Sequence, residues 1–236
     1  MDTNATATAD ADREMDALDA SPALPRLESG VTVLERPDRG TGLHRLALAT
    51  LADRAGTALW VDARGDASTY LLYDLADERT LRGLRVARAF TAYQHVAVVR
   101  AAARAADART ALLVAPAVAS LYRDDDVPGR EGERLLDATL TTLAGLADVL
   151  EVPALVSVRA DAADALADRV RDAADATLAV RDTRLGTVVE GEAFAPRGYH
   201  RRGYWQTTVP YWVDLFGAVD DDRRHSPAPA VPEVDA

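Results

Sequence analysis

Short apolar runs alternate with helical stripes along most of the chain. The runs are of strand length, whereas the apolar positions of each stripe recur every three or four residues, as on one face of a helix. Strands are predicted at residues 31–34, 57–61, 84–89, 111–115, 153–158, 176–180 and 186–190. Helices are predicted along residues 43–51, 68–75, 91–106, 136–150 and 162–170, the third opened by the capping-box spacing Thr91-Ala-Tyr-Gln94.

This alternation predicts the α/β fold class, because strands separated by helices form right-handed βαβ units and a mainly parallel sheet. The last two predicted strands are joined by the short turn 181–185, so we expect an antiparallel hairpin at one edge of the sheet. We expect one domain over residues 21–220, between tails at 1–20 and 221–236 that hold few large apolar side chains. Ligands of such sheets bind beyond the carboxyl ends of the strands.

Composition narrows the classes of function. With 48% apolar residues among 236, the chain can bury a substantial core. It contains no cysteine, which excludes disulfides and thiolate metal sites. No apolar run reaches membrane-spanning length, and the N-terminus lacks a basic segment followed by an apolar one. We therefore expect a cytoplasmic protein without membrane contact.

The charged residues are biased in kind as well as in number. The net charge is −11, aspartate dominates the acids, and all 27 basic residues are arginine, so the chain contains no lysine. Together with the many alanines, this bias indicates a GC-rich genome and a high-salt cytoplasm, where acidic surfaces are a general adaptation. The acidity therefore does not exclude nucleic-acid binding, and any local basic cluster is conspicuous against it.

Three stretches are similar to one family. Residues 84–95 are similar to the strand and helix start that follow the second strand in RadA, residues 111–123 to a Walker B strand and its exit, and residues 135–159 to the long helix and fifth strand after it. Residues 28–195 thus resemble the ATPase core of the RecA/RadA recombinase superfamily, with its archaeal RadA, RadB and KaiC-like relatives. The resemblance implies a RecA-like, P-loop-type three-layer α/β/α fold.

The resemblance places a nucleotide site on residues that lack its chemistry. A phosphate-binding loop needs glycines for close backbone approach, a lysine for the phosphates and a hydroxyl for Mg²⁺. The matching residues are Gly40, Thr41, Gly42, Leu43, His44 and Arg45, with Pro37 at the position of the first glycine. Because Leu43 occupies the lysine position and His44 the hydroxyl position, we interpret these residues as a degenerate nucleotide site.

The other catalytic positions are altered as well. A Walker B strand needs an acid at its end, but the apolar strand here ends in Ala115 and Pro116. The general-base glutamate implied by the resemblance falls near Arg64. Since phosphoryl transfer depends almost wholly on positioning and electrostatics, we expect no enzyme activity, no metal and no cofactor. ATP binding is not expected either, although Arg39 or Arg45 could still contact a phosphate.

Residues 197–205 form a local basic cluster. Its candidate contact residues are Arg197, Tyr199, Arg201, Arg202, Tyr204 and Trp205, with no acid among them. Arginine with aromatic residues is typical of a single-stranded nucleic-acid contact, and also of a protein–protein hot spot. A third interpretation is a structural segment whose aromatic rings pack on the core. The strongly apolar residues 207–216 that follow are an interaction segment unless the core buries them.

We therefore expect a non-catalytic RecA/RadA-like accessory or regulatory protein in DNA recombination or repair, acting through DNA or protein binding. Its expected partners are a recombinase, a second copy of the chain as a homo-oligomer, or single-stranded DNA. Two alternatives stay open: a KaiC-like regulator that binds ATP with little hydrolysis, and a purely structural interaction module.

Overall fold

The computed structural model describes residues 24–183, 186–191, 198–201 and 204–207, with side chains for residues 24–181 and 187–191. The strands are β1 (Gly30–Arg36), β2 (Thr57–Ala63), β3 (Leu84–Ala89), β4 (Thr110–Ala115), β5 (Pro153–Arg159), β6 (Ala176–Thr183), β7 (Gly186–Gly191), β8 (Gly198–Arg201) and β9 (Tyr204–Thr207). The helices are α1 (Gly42–Arg54), α2 (Thr69–Leu75), α3 (Glu78–Arg82), α4 (Ala92–Ala105), α5 (Gly129–Leu150) and α6 (Ala165–Asp172), with a 3₁₀ turn at Ser120–Arg123.

All nine described strands belong to one sheet, in the order β3-β2-β4-β5-β1-β6-β7-β8-β9. The pairings from β3 to β6 are parallel, and those from β6 to β9 are antiparallel. The prediction of a mainly parallel sheet with a C-terminal antiparallel hairpin is confirmed, with β6 and β7 as the hairpin. Strands β8 and β9, which the apolar pattern did not predict, extend the sheet beyond it.

Helices cover both faces of the sheet and make it the middle of three layers. Along β2, Leu59 and Val61 pack with α4, α5 and α6, whereas Ala58 and Trp60 pack with α1 and α2. The two sets alternate because successive side chains of a strand point to opposite faces. The three-layer α/β/α architecture is therefore confirmed, and it is consistent with a RecA-like fold.

Local details depart from the predicted elements at a few places. Residue Ala162 lies in the loop before α6, and both α3 and the 3₁₀ turn were not predicted. At the start of α4, Thr91 Oγ1 accepts a hydrogen bond from Gln94 N at 3.2 Å, as the capping spacing predicts. Gln94 Oε1 accepts from Phe90 N at 2.9 Å, so the returning bond reaches one residue further back than in a standard capping box.

The predicted tails at 1–20 and 221–236 lie outside the described residues. Within the described ranges, no helix is both long and apolar enough to cross a membrane.

Candidate functional site

The residues that directly follow the loop between β1 and α1 are buried in the core. Leu43, which the resemblance places at the lysine position of a nucleotide site, is 1% exposed and packs among the apolar side chains of the α1 face. His44, at the hydroxyl position, is 3% exposed; its Nε2–H donates to Asp66 O at 2.7 Å and its ring centroid lies 5.4 Å from that of Trp60. Both positions that would face phosphate and Mg²⁺ are therefore packing positions in this protein.

Gly42 has a packing role. A Cβ at Gly42 would lie 2.7 Å from Val180 Cγ1, so only glycine lets α1 approach β6 this closely. Gly40 has φ of +132°, a backbone conformation that side-chain-bearing residues rarely adopt. The two glycines that the sequence offers as a phosphate cradle are thus accounted for by the turn and by helix packing.

The Arg45 side chain folds back onto the N-terminus of its own helix, α1. Its Nε donates to Thr41 Oγ1 at 3.1 Å, and its backbone N–H donates to Thr41 O at 2.9 Å. Partial burial lowers the pKa of the Arg45 guanidinium, which nevertheless stays protonated at neutral pH. One of its donors is therefore committed to Thr41.

A cleft of about 690 Å³ opens at the carboxyl ends of β1, β2, β4 and β5. Cavities of this size accommodate small-molecule ligands, and this edge of the sheet is where they bind in open α/β folds. The loops that follow the four strands line the cleft. Of the Walker-type positions considered in the sequence, Arg64 lines it, whereas residues 40–45, Ala115 and Pro116 are not among its lining residues. The cleft is the candidate functional site of the described residues.

Each of these four strand exits contributes one arginine to the cleft wall, together with one aspartate or, after β5, two. We call the four arginines and the aspartates that link one exit to the next the arginine–aspartate ring. Four ion pairs connect the exits in sequence: Arg36–Asp66 at 2.7 Å, Arg64–Asp124, Arg123–Asp164 at 2.9 Å and Arg159–Asp38 at 2.9 Å. The first pair joins the β1 exit to the β2 exit, the second continues to β4, the third to β5, and the fourth returns to β1. The ring is therefore closed.

The innermost pair of the ring is tied to the backbone of a neighbouring turn. The Arg36 side chain is 11% exposed and that of Asp66 18%. Arg36 Nε also donates to Ser157 Oγ at 3.1 Å, and this buried hydroxyl accepts a second bond from Ala117 N at 2.9 Å. Ala117, two residues after the end of β4, has φ of +47°. Ser157 thus connects the ring to a strained turn.

The more exposed arginines and aspartates of the ring also neutralise one another's charge. Arg123 holds the pKa of Asp164 below its usual value, chiefly through their hydrogen bonds. Arg159 does the same for Asp161, which it binds at 2.6 Å in addition to Asp38. Arg64, at the predicted glutamate position, binds Asp124 and also donates to Ser120 O at 3.1 Å. Every arginine of the ring therefore already has an anionic partner.

A second polar group lies inside the layer of α4 and α5. His95 Nδ1 shares a hydrogen bond of 2.7 Å with the Tyr122 hydroxyl, which shares another of 2.7 Å with Thr139 Oγ1. All three residues are buried. Burial lowers the pKa of His95 to about 4 and raises that of Tyr122 to about 12. The chain joins α4, the 3₁₀ turn and α5, and sequence reasoning missed it because no spacing signals it.

The stability of the protein is expected to fall as the pH is lowered from about 6.5 to about 4. In this window the unfolded chain protonates His95 while the folded chain keeps it neutral, so the unfolded state binds more protons. His95 contributes a slope of at most about 1.4 kcal/mol per pH unit to the dependence of the free energy of unfolding on pH. Urea denaturation at about pH 7 and about pH 5 measures it. His95→Gln should flatten the slope, leaving the part due to His44, whose pKa burial also lowers; an unchanged slope would refute the assignment.

The basic cluster predicted at residues 197–205 is only partly within the described residues. Arg197 and Arg202 lie outside them, as do the side chains of Tyr199, Arg201, Tyr204 and Trp205. The backbone of the latter four belongs to β8 and β9, where Arg201 pairs with Tyr204 in antiparallel register. The three interpretations of this cluster therefore stay predictions.

In the described part of the chain, no group of three histidine, aspartate or glutamate side chains is placed to hold a metal ion. Comparison with known proteins adds no assignment: no protein-family model matches the sequence, and no curated protein matches it either.

Proposed function

We propose that this protein is a non-catalytic RecA-like accessory or regulatory protein that acts through protein contacts. The observation that supports this most strongly is the closed arginine–aspartate ring. It occupies the edge of the sheet where a nucleotide would need free cations, and each of its arginines is neutralised by an aspartate of the next loop.

The chemistry of phosphoryl transfer supports the same proposal. That reaction needs a cation on the transferring phosphoryl and an anchored Mg²⁺. Here the lysine position is the buried Leu43, the hydroxyl position is the buried His44, and β4 ends in Ala115. Loss of one electrostatic donor alone costs about 10²–10³ in rate, so the combined losses argue against turnover.

The proposed setting is DNA recombination or repair, with a recombinase or a second copy of the chain as partner. This setting rests on the resemblance of residues 84–95, 111–123 and 135–159 to RecA/RadA proteins.

The purified protein is expected to bind ATP no more tightly than about 1 mM and to release no phosphate from it. Leucine and histidine at these two positions offer neither charge nor a hydroxyl, and each of the four arginines of the ring is already paired with an aspartate. Isothermal titration with ATP and Mg²⁺ in molar KCl, with an active RecA-type ATPase as positive control, measures the affinity. Micromolar binding that disappears in Arg45→Ala would overturn the proposal.

One observation favours a second candidate, a regulator that senses an anionic ligand without turnover. The cleft is of ligand size, at about 690 Å³, and four arginines line it. An anion that displaced the aspartates could open the ring and change the positions of the four loops. Hydrogen exchange of the four loops with and without ATP and Mg²⁺ separates this candidate from the first.

A further inference from the structure

Three buried polar atoms near the start of α1 have no hydrogen-bond partner among the described residues. They are His44 Nδ1, Trp60 Nε1 and Asp62 Oδ1. The three residues are 3%, 1% and 0% exposed, so bulk solvent does not reach their side chains. Buried polar atoms in folded proteins are nearly always paired, either with protein or with ordered water. These three atoms therefore need an explanation.

The three residues lie together on one face of the sheet. Trp60 and Asp62 are two positions apart on β2, so their side chains leave the same face of the strand, the face that α1 covers. His44 lies in the first turn of α1, with its ring centroid 5.4 Å from that of Trp60. This separation is comparable to the distance of about 5.8 Å that two successive hydrogen bonds can span. The three atoms thus border one small space between α1 and β2.

The other polar atoms of these residues are already engaged, which determines what the unpaired atoms can do. His44 Nε2–H donates to Asp66 O at 2.7 Å, so a neutral ring keeps only a lone pair on Nδ1. Asp62 Oδ2 accepts from Arg88 Nε at 3.0 Å, and Oδ1 keeps its lone pairs. Trp60 Nε1–H can only donate. The space is therefore bordered by two acceptors and one donor.

These three atoms cannot satisfy one another. His44 Nδ1 and Asp62 Oδ1 are both acceptors, and the single proton of Trp60 Nε1 serves one of them at most. The missing partner must supply two protons and one lone pair, which a water molecule does. Ammonium has no lone pair for the Trp60 proton, and chloride has no proton for either acceptor.

We infer that one internal water molecule binds between α1 and β2, donating to His44 Nδ1 and Asp62 Oδ1 and accepting from Trp60 Nε1–H. Three hydrogen bonds are the usual number for a buried water. Through His44 this water is linked to Asp66, whose carboxylate belongs to the arginine–aspartate ring. It connects the core of the α1 face to the cleft wall, and it does so independently of the proposed function.

The competing arrangement is a charged His44 that donates from Nδ1 directly to Asp62. Burial lowers the pKa of His44 and raises the pKa of Asp62, so burial opposes the charge on both groups. The two arrangements also differ in geometry. A direct bond would bring Nδ1 and Oδ1 to about 2.8 Å, whereas a bridging water keeps them beyond hydrogen-bond distance of each other.

Proton NMR of the full-length protein at neutral pH tests the inference in solution. The Hε1 proton of Trp60 is expected to show a rotating-frame cross-peak to water, with the sign of a dipolar contact and not of proton exchange. Trp60→Phe assigns this resonance by removing it. His44→Phe removes one acceptor and fills the space with an apolar ring, so the cross-peak should be lost while the Trp60 resonance remains. His95→Gln is the matched control, because this second buried histidine lies on α4 at the opposite face of the sheet, and it should keep the cross-peak.

A high-resolution crystal structure of the wild-type protein tests the same inference without any variant. One water is expected within about 3.2 Å of all three atoms. A direct bond between His44 Nδ1 and Asp62 Oδ1 would overturn the inference, and so would a space without a water or with a water that reaches fewer than three of the atoms. A Trp60 cross-peak that persists in His44→Phe would overturn it as well.

Discussion

Leu43→Lys is expected to lower the free energy of unfolding by about 4 kcal/mol or more, and not to restore nucleotide binding. The leucine is 1% exposed within the core on the α1 face. A lysine there loses the burial energy of the leucine and must either bury its charge or give up its proton. Urea denaturation followed by tryptophan fluorescence measures the loss.

Leu43→Met is the control for this substitution, because it preserves volume and apolar character and should cost less than about 1.5 kcal/mol. Full stability of Leu43→Lys would show that this side chain reaches solvent. If that variant also bound ATP, the degenerate nucleotide site would be a real binding site that lacks only its charge.

Asp66→Ala is expected to destabilise the protein by about 2 to 4 kcal/mol. The substitution leaves the Arg36 guanidinium, 11% exposed, without its carboxylate. Removing one partner of a largely buried ion pair costs more than the pair contributes, because the remaining charge is left uncompensated. The measurement is again the free energy of unfolding in urea, in wild type and variant at the same salt concentration.

Asp124→Ala is the matched comparison within the same ring. Its partner Arg64 is 48% exposed and Asp124 itself 32% exposed, so water screens the pair and the loss should be at most about 1 kcal/mol. Equal losses for the two variants would contradict the ranking of the ring's pairs by burial. A negligible loss for Asp66→Ala would contradict the view that the ring holds the cleft loops together.

Much of the fold could be predicted from the sequence because the apolar positions in each local pattern are the positions that the folded protein buries. The fully apolar run of β4 is buried at every residue, and the stripe of α5 packs as one face of a long helix. Strands β8 and β9 were missed because Gly198, Arg201 and Trp205 form no apolar alternation. The short helix α3 was missed because none of its residues is buried, so no stripe marks it.

The sequence gives only part of the candidate site. Where the resemblance implies a lysine and a Walker B acid, the chain has Leu43 and Ala115. The arginine–aspartate ring could not be predicted, since its members are far apart in sequence: Arg159 and Asp38 are separated by 121 residues.

Hydrogen exchange with and without ATP and Mg²⁺ is the most direct test of the central claim, that core packing and the arginine–aspartate ring have replaced the nucleotide. Exchange of residues 36–45, 64–66, 117–124 and 157–164 should be the same in both samples, because the loops are already held by their own ion pairs. Protection of these four segments by ATP, with the rest of the sheet unchanged, would contradict the claim and assign the cleft to a nucleotide.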